Sequence, residues 1–256
     1  MLYKYLTVLI VLLVTGFNNS FAGDRDTSAV HKPKLSKVRW YQSNTFKALA
    51  VPVGLIALGI CEINSHGIYS YEFNDELLET FPNVKGRLDD YPRWAPVAMV
   101  AALQFAGVKG RNTPVNEAIL YFTSNALSGF ITDRLKVNTH SLRPDGSDYL
   151  SFPSGHTTAA FTAAEFLHQE YKDKSPWISI AGYTIAATVG TMRMLKNHHW
   201  MSDVLAGAGV GILSVRLTYV VYPWIQNKIF SKKASGLGVA PIYTDGKYGG
   251  ILSYKF

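Results

Sequence analysis

Residues 204–225 read VLAGAGVGILSVRLTYVVYPWI, and this stretch decides the fold. As a helix rising about 1.5 Å per residue, it is long enough to cross the ~30 Å apolar core of a bilayer. Its small residues Ala206, Gly207, Gly209 and Gly211 suit helices that pack closely in lipid. One charge, Arg216, interrupts it, and Glu165 interrupts an earlier apolar segment. Ionisable residues inside a membrane face the bundle interior or snorkel. They also leave a second picture open, an exported helical bundle that is soluble or seated on a membrane surface.

Five apolar segments precede this one: residues 48–63, 94–108, 118–131, 156–167 and 177–189. Most fall short of the ~20 apolar residues of a full span, so flanking residues would complete them. The fold expected is all-α, a membrane-embedded six-helix bundle over residues 48–230. The acidic, Pro-containing stretch 71–93 reads as a surface helix and loop. After residue 231 the composition changes. Gly-rich turns flank 240–244 and 251–256, whose weak alternation predicts a small hairpin, a short β-like tail. Residues 23–47 form a basic lead-in carrying His31, Lys32, Lys34, Lys37 and Arg39. Before it, Lys4 precedes the apolar run 6–14, and Ser20-Phe21-Ala22 offers a small-x-small cleavage site. That is the layout of an export signal over residues 1–22, with an uncleaved anchor as the alternative.

A chain of 256 residues is long enough for one good-sized domain. Charged residues make up 17%, below the roughly 25% of an average soluble domain. The mean hydropathy of +0.06 fits helices at a membrane joined by sizeable polar connections. The net charge of +7 is spread over many short connections, and no nucleic-acid motif accompanies it. The partners implied are a membrane and an anionic substrate, not nucleic acid; the oligomeric state is not encoded. Cys61 is the single cysteine, so no intramolecular disulfide forms; its apolar surroundings give it the role of a small core residue.

Three clusters carry chemistry. In the first, Lys136 is followed after six residues by Arg143 and Pro144. If that stretch is helical, both cations share one face two turns apart, and Pro144 ends it. Converging Arg and Lys match a phosphate dianion; alone, such cations also suit a solvated or headgroup-facing helix end. The second is Pro153-Ser154-Gly155-His156, directly before an Ala/Thr/Phe-rich helix. Ser154 is a natural N-cap, and the free N–H groups of a first helical turn bind anions. Gly155 lets the backbone approach a ligand, and His156 could protonate a leaving oxygen. The bland alternative is a capped helix start with an incidental histidine. The third places His199 six positions after Arg193 and Asp203 four after His199. On a helix His199 and Asp203 are neighbours, and a carboxylate beside an imidazole fixes its tautomer and raises its basicity. The other ring nitrogen is then free to attack phosphorus. Adjacent His198 and His199 point in different directions, and no His-x3-His or Cys pair completes a ligand set, so no metal and no cofactor is expected. His140, His198 and Trp200 read as structural or rim residues.

The order Lys-x6-Arg-Pro, Pro-Ser-Gly-His, Arg-x5-His-x3-Asp resembles the three-part signature of the type 2 phosphatidic acid phosphatase superfamily, which includes vanadium haloperoxidases. The resemblance covers roughly residues 90–225. It implies a six-helix bundle with the site at one end. Carried over by position, it implies His199 as the nucleophile that becomes phosphohistidine, Asp203 as its orienting carboxylate and His156 as the general acid. Lys136, Arg143, Arg193, Ser154 and Gly155 would hold the phosphate oxygens. One departure is Met192, where the family usually has Ser before the motif's Arg; Thr191 stands one position earlier.

All three motifs fall at one end of an up-and-down bundle. Connections at the other end are basic: Lys109 and Arg111, Lys172 and Lys174, then Lys228, Lys232 and Lys233. By the positive-inside rule that end is cytoplasmic, so the site faces the periplasm or outside, from the inner membrane. An export signal followed by six true spans would reverse this, unless residues 48–63, with Pro52, Gly54 and Gly59, do not cross. The function expected is removal of a terminal phosphate from a membrane lipid phosphate: lipid A, undecaprenyl diphosphate, phosphatidylglycerophosphate or phosphatidate. The alternatives weighed are a soluble periplasmic acid phosphatase, a haloperoxidase and a non-catalytic membrane module.

Overall fold

The computed structural model describes residues 44–64, 68–82, 84, 86, 90–230, 237–244 and 247–254. The expected export signal and nearly all of the basic lead-in lie outside the described residues. Seven α-helices follow one another: α1 Asn44–Asn64, α2 Ile68–Thr80, α3 Ala95–Phe105, α4 Pro114–Thr139, α5 Gly155–Tyr171, α6 Pro176–Leu195 and α7 Met201–Phe230. A short 3-10 turn, Pro92–Trp94, leads into α3. Each of the six apolar segments lies within or overlaps one of these helices; the additional one is α2.

Local sequence sets the helix ends. Thr113, Ser154 and Ser175 cap α4, α5 and α6, each accepting a hydrogen bond from a first-turn N–H. Pro114 and Pro176 occupy the first turns of α4 and α6, where the missing N–H costs nothing. His140 ends α4 in the left-handed conformation, φ 46°. Lys136 and Arg143 are therefore not two turns apart on one helix: the helix stops at Thr139, and the following loop brings Arg143 back.

The centre of the main body is α5, buried almost throughout from Thr157 to Tyr171. Phe161, Ala164, Tyr183, Ala186, Val189, Leu205, Ala208 and Ile212 form its principal core, joined by Leu55 of α1. A Cβ on Gly207 would stand 2.8 Å from the Ser154 carbonyl oxygen, and one on Gly211 2.6 Å from that of Thr158. These two positions are glycine because the backbones of α5 and α7 nearly touch. The two charges that sit awkwardly in apolar sequence find each other. Arg216 Nε donates to Glu165 Oε1 at 2.9 Å, and Tyr183 and Gln169 also donate to that carboxylate.

Two expectations are corrected. The stretch 71–93 holds the expected helix, but α2 does not merely lie on the surface: it buries Ser70, Phe73, Asn74 and Leu77, packing Phe73 and Leu77 against Met194 and Val204. Cys61 is exposed rather than in the core. Pro52, Leu55 and Gly59 define the buried face of α1, and Cys61, two residues past Gly59, turns to the opposite side.

The chain divides into two compact units, Met1–Arg216 and Leu217–Phe256, the boundary falling inside α7. In the second unit β1, Leu237–Thr244, pairs antiparallel with β2, Lys247–Tyr254, from Leu237 opposite Tyr254 to Thr244 opposite Lys247.

Candidate active site

The site is assembled in the first unit where α4 ends, α5 begins, α6 ends and α7 begins. Asp203 is its anchor. It is fully buried in the first turn of α7, and three donors converge on one oxygen, Oδ2: the Ser151 hydroxyl at 2.5 Å, the Trp200 backbone N–H at 2.9 Å and His199 Nδ1 at 3.2 Å. Trp200 directly precedes the helix, so its N–H bond to a carboxylate three residues on is one half of a capping box. His199 and Asp203 meet, but not along one helix as their spacing predicted, because His199 lies in the loop before α7. Because Nδ1 faces a carboxylate it carries the proton, which leaves Nε2 as the bare nitrogen.

Lys136, in the last turn of α4, reaches the carbonyl oxygens of Leu150 and Ser151. Burial pulls its pKa down to about 8, the charge of Arg143 acting in the same direction. Arg143 is oriented by Asp148, whose Oδ1 accepts from its Nε at 2.8 Å; that bond holds Asp148 below the usual carboxylate range. His199 is nearly inaccessible. Burial lowers its pKa below the ordinary histidine value against the pull of Asp203, and Lys136 and Arg143 add to the lowering. Both cations are thus close enough to act on the imidazole.

The α5 turn completes the arrangement. Ser154 is buried; its hydroxyl accepts from the Thr157 N–H, and its own N–H donates to the Asp203 carbonyl at 3.0 Å. A Cβ at Gly155 would meet nothing within 4 Å, so the backbone there borders open space. His156 Nε2 stands 3.2 Å from Asp90 Oδ1. Arg193 is buried in the last turn of α6, and its charge acts on His198 next to His199. Thr191 and Met192 are both half-buried in that turn.

All eight residues singled out in the sequence therefore lie at one end of the bundle. Three others carry no sequence signal, and a fourth, Trp200, reads only as a structural or rim residue. Asp148 follows Arg143 by five positions, a spacing that carries no rule in a loop. Asp90 is 66 residues from His156, beyond any local pattern. Trp200 acts through its backbone, and Ser151 is one serine among many. The side chain of Trp200 is structural: its indole Nε1 donates to the Leu142 carbonyl at 2.8 Å and its ring meets Tyr71 edge-on.

An all-helical body with a buried imidazole and carboxylate, ringed by cations at one end, defines a protein built to receive an anion. Residues 117–227 match the family profile of the PAP2 superfamily. Over 145 residues it is 39% identical to the lipid A 1-phosphatase of Porphyromonas gingivalis, covering 56% of this chain and 32% of that protein. Over 155 residues it is 27% identical to a PA-phosphatase related-family protein of Dictyostelium discoideum, covering 50% of this chain and 56% of the relative. The chain thus spans about a third and about half of the lengths of these two relatives. Among solved structures it is similar to Aquifex aeolicus LpxE, with a TM-score of 0.44 at 19% identity, covering 57% of this chain and 93% of that one. It is also similar to the transmembrane PAP2 type phosphatidylglycerolphosphate phosphatase of Bacillus subtilis, with a TM-score of 0.47 at 19% identity over 68% and 96%.

Proposed function

We propose that this chain is a metal-independent phosphatase that removes a terminal phosphate from a membrane lipid phosphate through a phosphohistidine on His199. The observation that carries this reading is the buried pairing of His199 Nδ1 with Asp203, which frees Nε2 within reach of the charges of Lys136 and Arg143. In the first step Nε2 attacks phosphorus as the bond to the lipid oxygen breaks. Asp203 stabilises the positive charge gained by the ring, and His156 gives its proton to the departing oxygen. In the second step water attacks the phosphohistidine, His156 takes a proton from that water, and His199 is released with inorganic phosphate. Lys136, Arg143, Arg193 and the N–H groups after Ser154 hold the charge that spreads over the non-bridging oxygens.

The lipid part of the proposal rests on α4, which is inside out. Its buried face carries Glu117, Ser124, Ser128 and Thr132 alongside Leu120 and Tyr121. Its exposed face carries Val115, Ile119, Phe122, Ala126 and Phe130. That apolar stripe runs for about 22 Å and stops short of Asp133, Arg134 and Lys136. Water would not favour such a helix; lipid does. Among the described residues Met201–Gln226 is long and apolar enough to cross a membrane, with a mean hydropathy of 1.8, and Ala48–Ile63 is a shorter apolar helix. A relative named a lipid A 1-phosphatase supports the same substrate class. The basic connections Lys109, Arg111, Lys172 and Lys174 lie at the end of the helices opposite the site, which favours a site facing outward from the inner membrane.

Rapid quenching of the purified protein during turnover of radiolabelled lipid phosphate tests the chemistry. An acid-labile, base-stable phosphate on the peptide containing His199 is expected, and His199→Ala should form none and turn over nothing. Near-normal turnover in His199→Ala would overturn the proposal.

A further inference from the structure

Asp203 gives up its hydration entirely, and a buried carboxylate must be held by donors to stay ionised. Its Oδ1 has no hydrogen-bond partner, so the whole of that support falls on Oδ2. Of the three groups there, Trp200 N–H belongs to the helix cap and His199 N–H to the reaction. The third is the Ser151 hydroxyl, at 2.5 Å, from a residue itself fully buried. An ionised carboxylate only accepts, so Ser151 is the donor.

The backbone of Ser151 is fixed from two sides. Its N–H donates to the Ser141 carbonyl at 3.0 Å, and its own carbonyl receives Lys136 Nζ at 3.4 Å. One residue therefore touches the Lys136 cluster with its main chain and the His199 cluster with its side chain.

We propose that Ser151 is a positioning residue for the phosphoryl-transfer step: its hydroxyl holds the Asp203 carboxylate in place and aimed at His199 Nδ1. This rests on the reading of His199 as nucleophile. Without the hydroxyl, Asp203 keeps one donor besides the imidazole. With fewer donors sharing Oδ2, more of its negative charge faces the ring, which favours the imidazolium form of His199. The bare Nε2 that attacks phosphorus then becomes scarcer at a given acid pH, and the ring is less firmly oriented. The other charges that act on His199 are Lys136 of α4 and Arg143 of the loop, and a change at Ser151 alters neither.

Ser151→Ala, Ser151→Thr and Ser151→Cys in the full chain test this, assayed with phosphatidate in mixed micelles beside His199→Ala. For Ser151→Ala the expected result is a kcat lower by about 10- to 100-fold, with KM within roughly twofold. The acid limb of kcat/KM should move to higher pH. Ser151→Thr, which keeps a hydroxyl, should recover most of the rate, and Ser151→Cys, a weak donor, should fall between; either suffices if the other does not fold. A wild-type kcat and acid limb in Ser151→Ala, with His199→Ala dead, would overturn the positioning role and leave the nucleophile intact. So would a rate that falls only in step with melting temperature while the acid limb stays put. An active His199→Ala would instead overturn the phosphohistidine reading itself.

Discussion

His199 and Lys136 are tuned in ways that set the working pH. The neutral imidazole is the attacking form, and burial lowers the His199 pKa, so the nucleophile stays available below the ordinary histidine range. Activity should be lost only as pH falls through that lowered value. Lys136 is needed charged, and its pKa of about 8 means that this charge is lost as pH rises. For the free enzyme kcat/KM should therefore trace a bell, with an acid limb below about 6.5 and an alkaline limb no higher than about 8, where either Lys136 or the general acid His156 has lost its proton. Bound phosphate stabilises the Lys136 cation, so the alkaline limb of kcat should lie higher than that of kcat/KM. A kcat/KM still rising above pH 9 would show that Lys136 does not hold phosphate as a cation. The residues proposed for the chemistry were legible because each sits in a short motif with its own physical logic. Their supports were not. Ser151, Asp148 and Asp90 act from loops, where spacing along the chain does not translate into spacing in space.

At the scale of elements, each apolar segment lies within or overlaps a described helix, and the N-cap at Ser154 follows from residue type alone. What sequence missed is the buried face of α2. The helix's mixed, acidic composition reads as surface, yet Phe73 and Leu77 seal it against the end of α6 and the start of α7, and Asn74 donates to Asn197, in the loop that carries His199, at 3.1 Å. Two apolar residues on one face suffice when the rest of the helix is wet. The packing of α5 on α7 makes a sharper claim. A Cβ at Gly211 would press on the backbone of Thr158 and Thr162, which cannot step aside as a side chain would. Gly211→Ala should destabilise by about 1–3 kcal/mol. Gly129, inside α4 with nothing within 4 Å of its missing Cβ, is the control. Gly129→Ala should stabilise by about 0.5–1 kcal/mol through helix propensity alone. Thermal unfolding in detergent compares the two, and equal signs would contradict the close approach of the helices.

On the scale of the whole molecule, the inside-out face of α4, the basic far end and the cationic near end combine into one picture. In the proposed function the lipid chains stay in the bilayer while only the phosphate enters the site. Orientation is testable in intact spheroplasts on a Cys61→Ser background, which removes the exposed native thiol. A membrane-impermeant maleimide should label Ser147→Cys, on the exposed loop beside Arg143, and spare Lys109→Cys at the opposite end; the reverse pattern would place the site in the cytoplasm. The most direct measurement is phosphate release by the purified full-length protein, in EDTA, from lipid A, undecaprenyl diphosphate, phosphatidylglycerophosphate and phosphatidate in mixed micelles, against water-soluble phosphate esters. The account predicts that at least one lipid is cleaved far faster than any soluble ester, and that His199→Ala abolishes the release. Equal rates on soluble esters, or release that needs an added divalent metal, would contradict it.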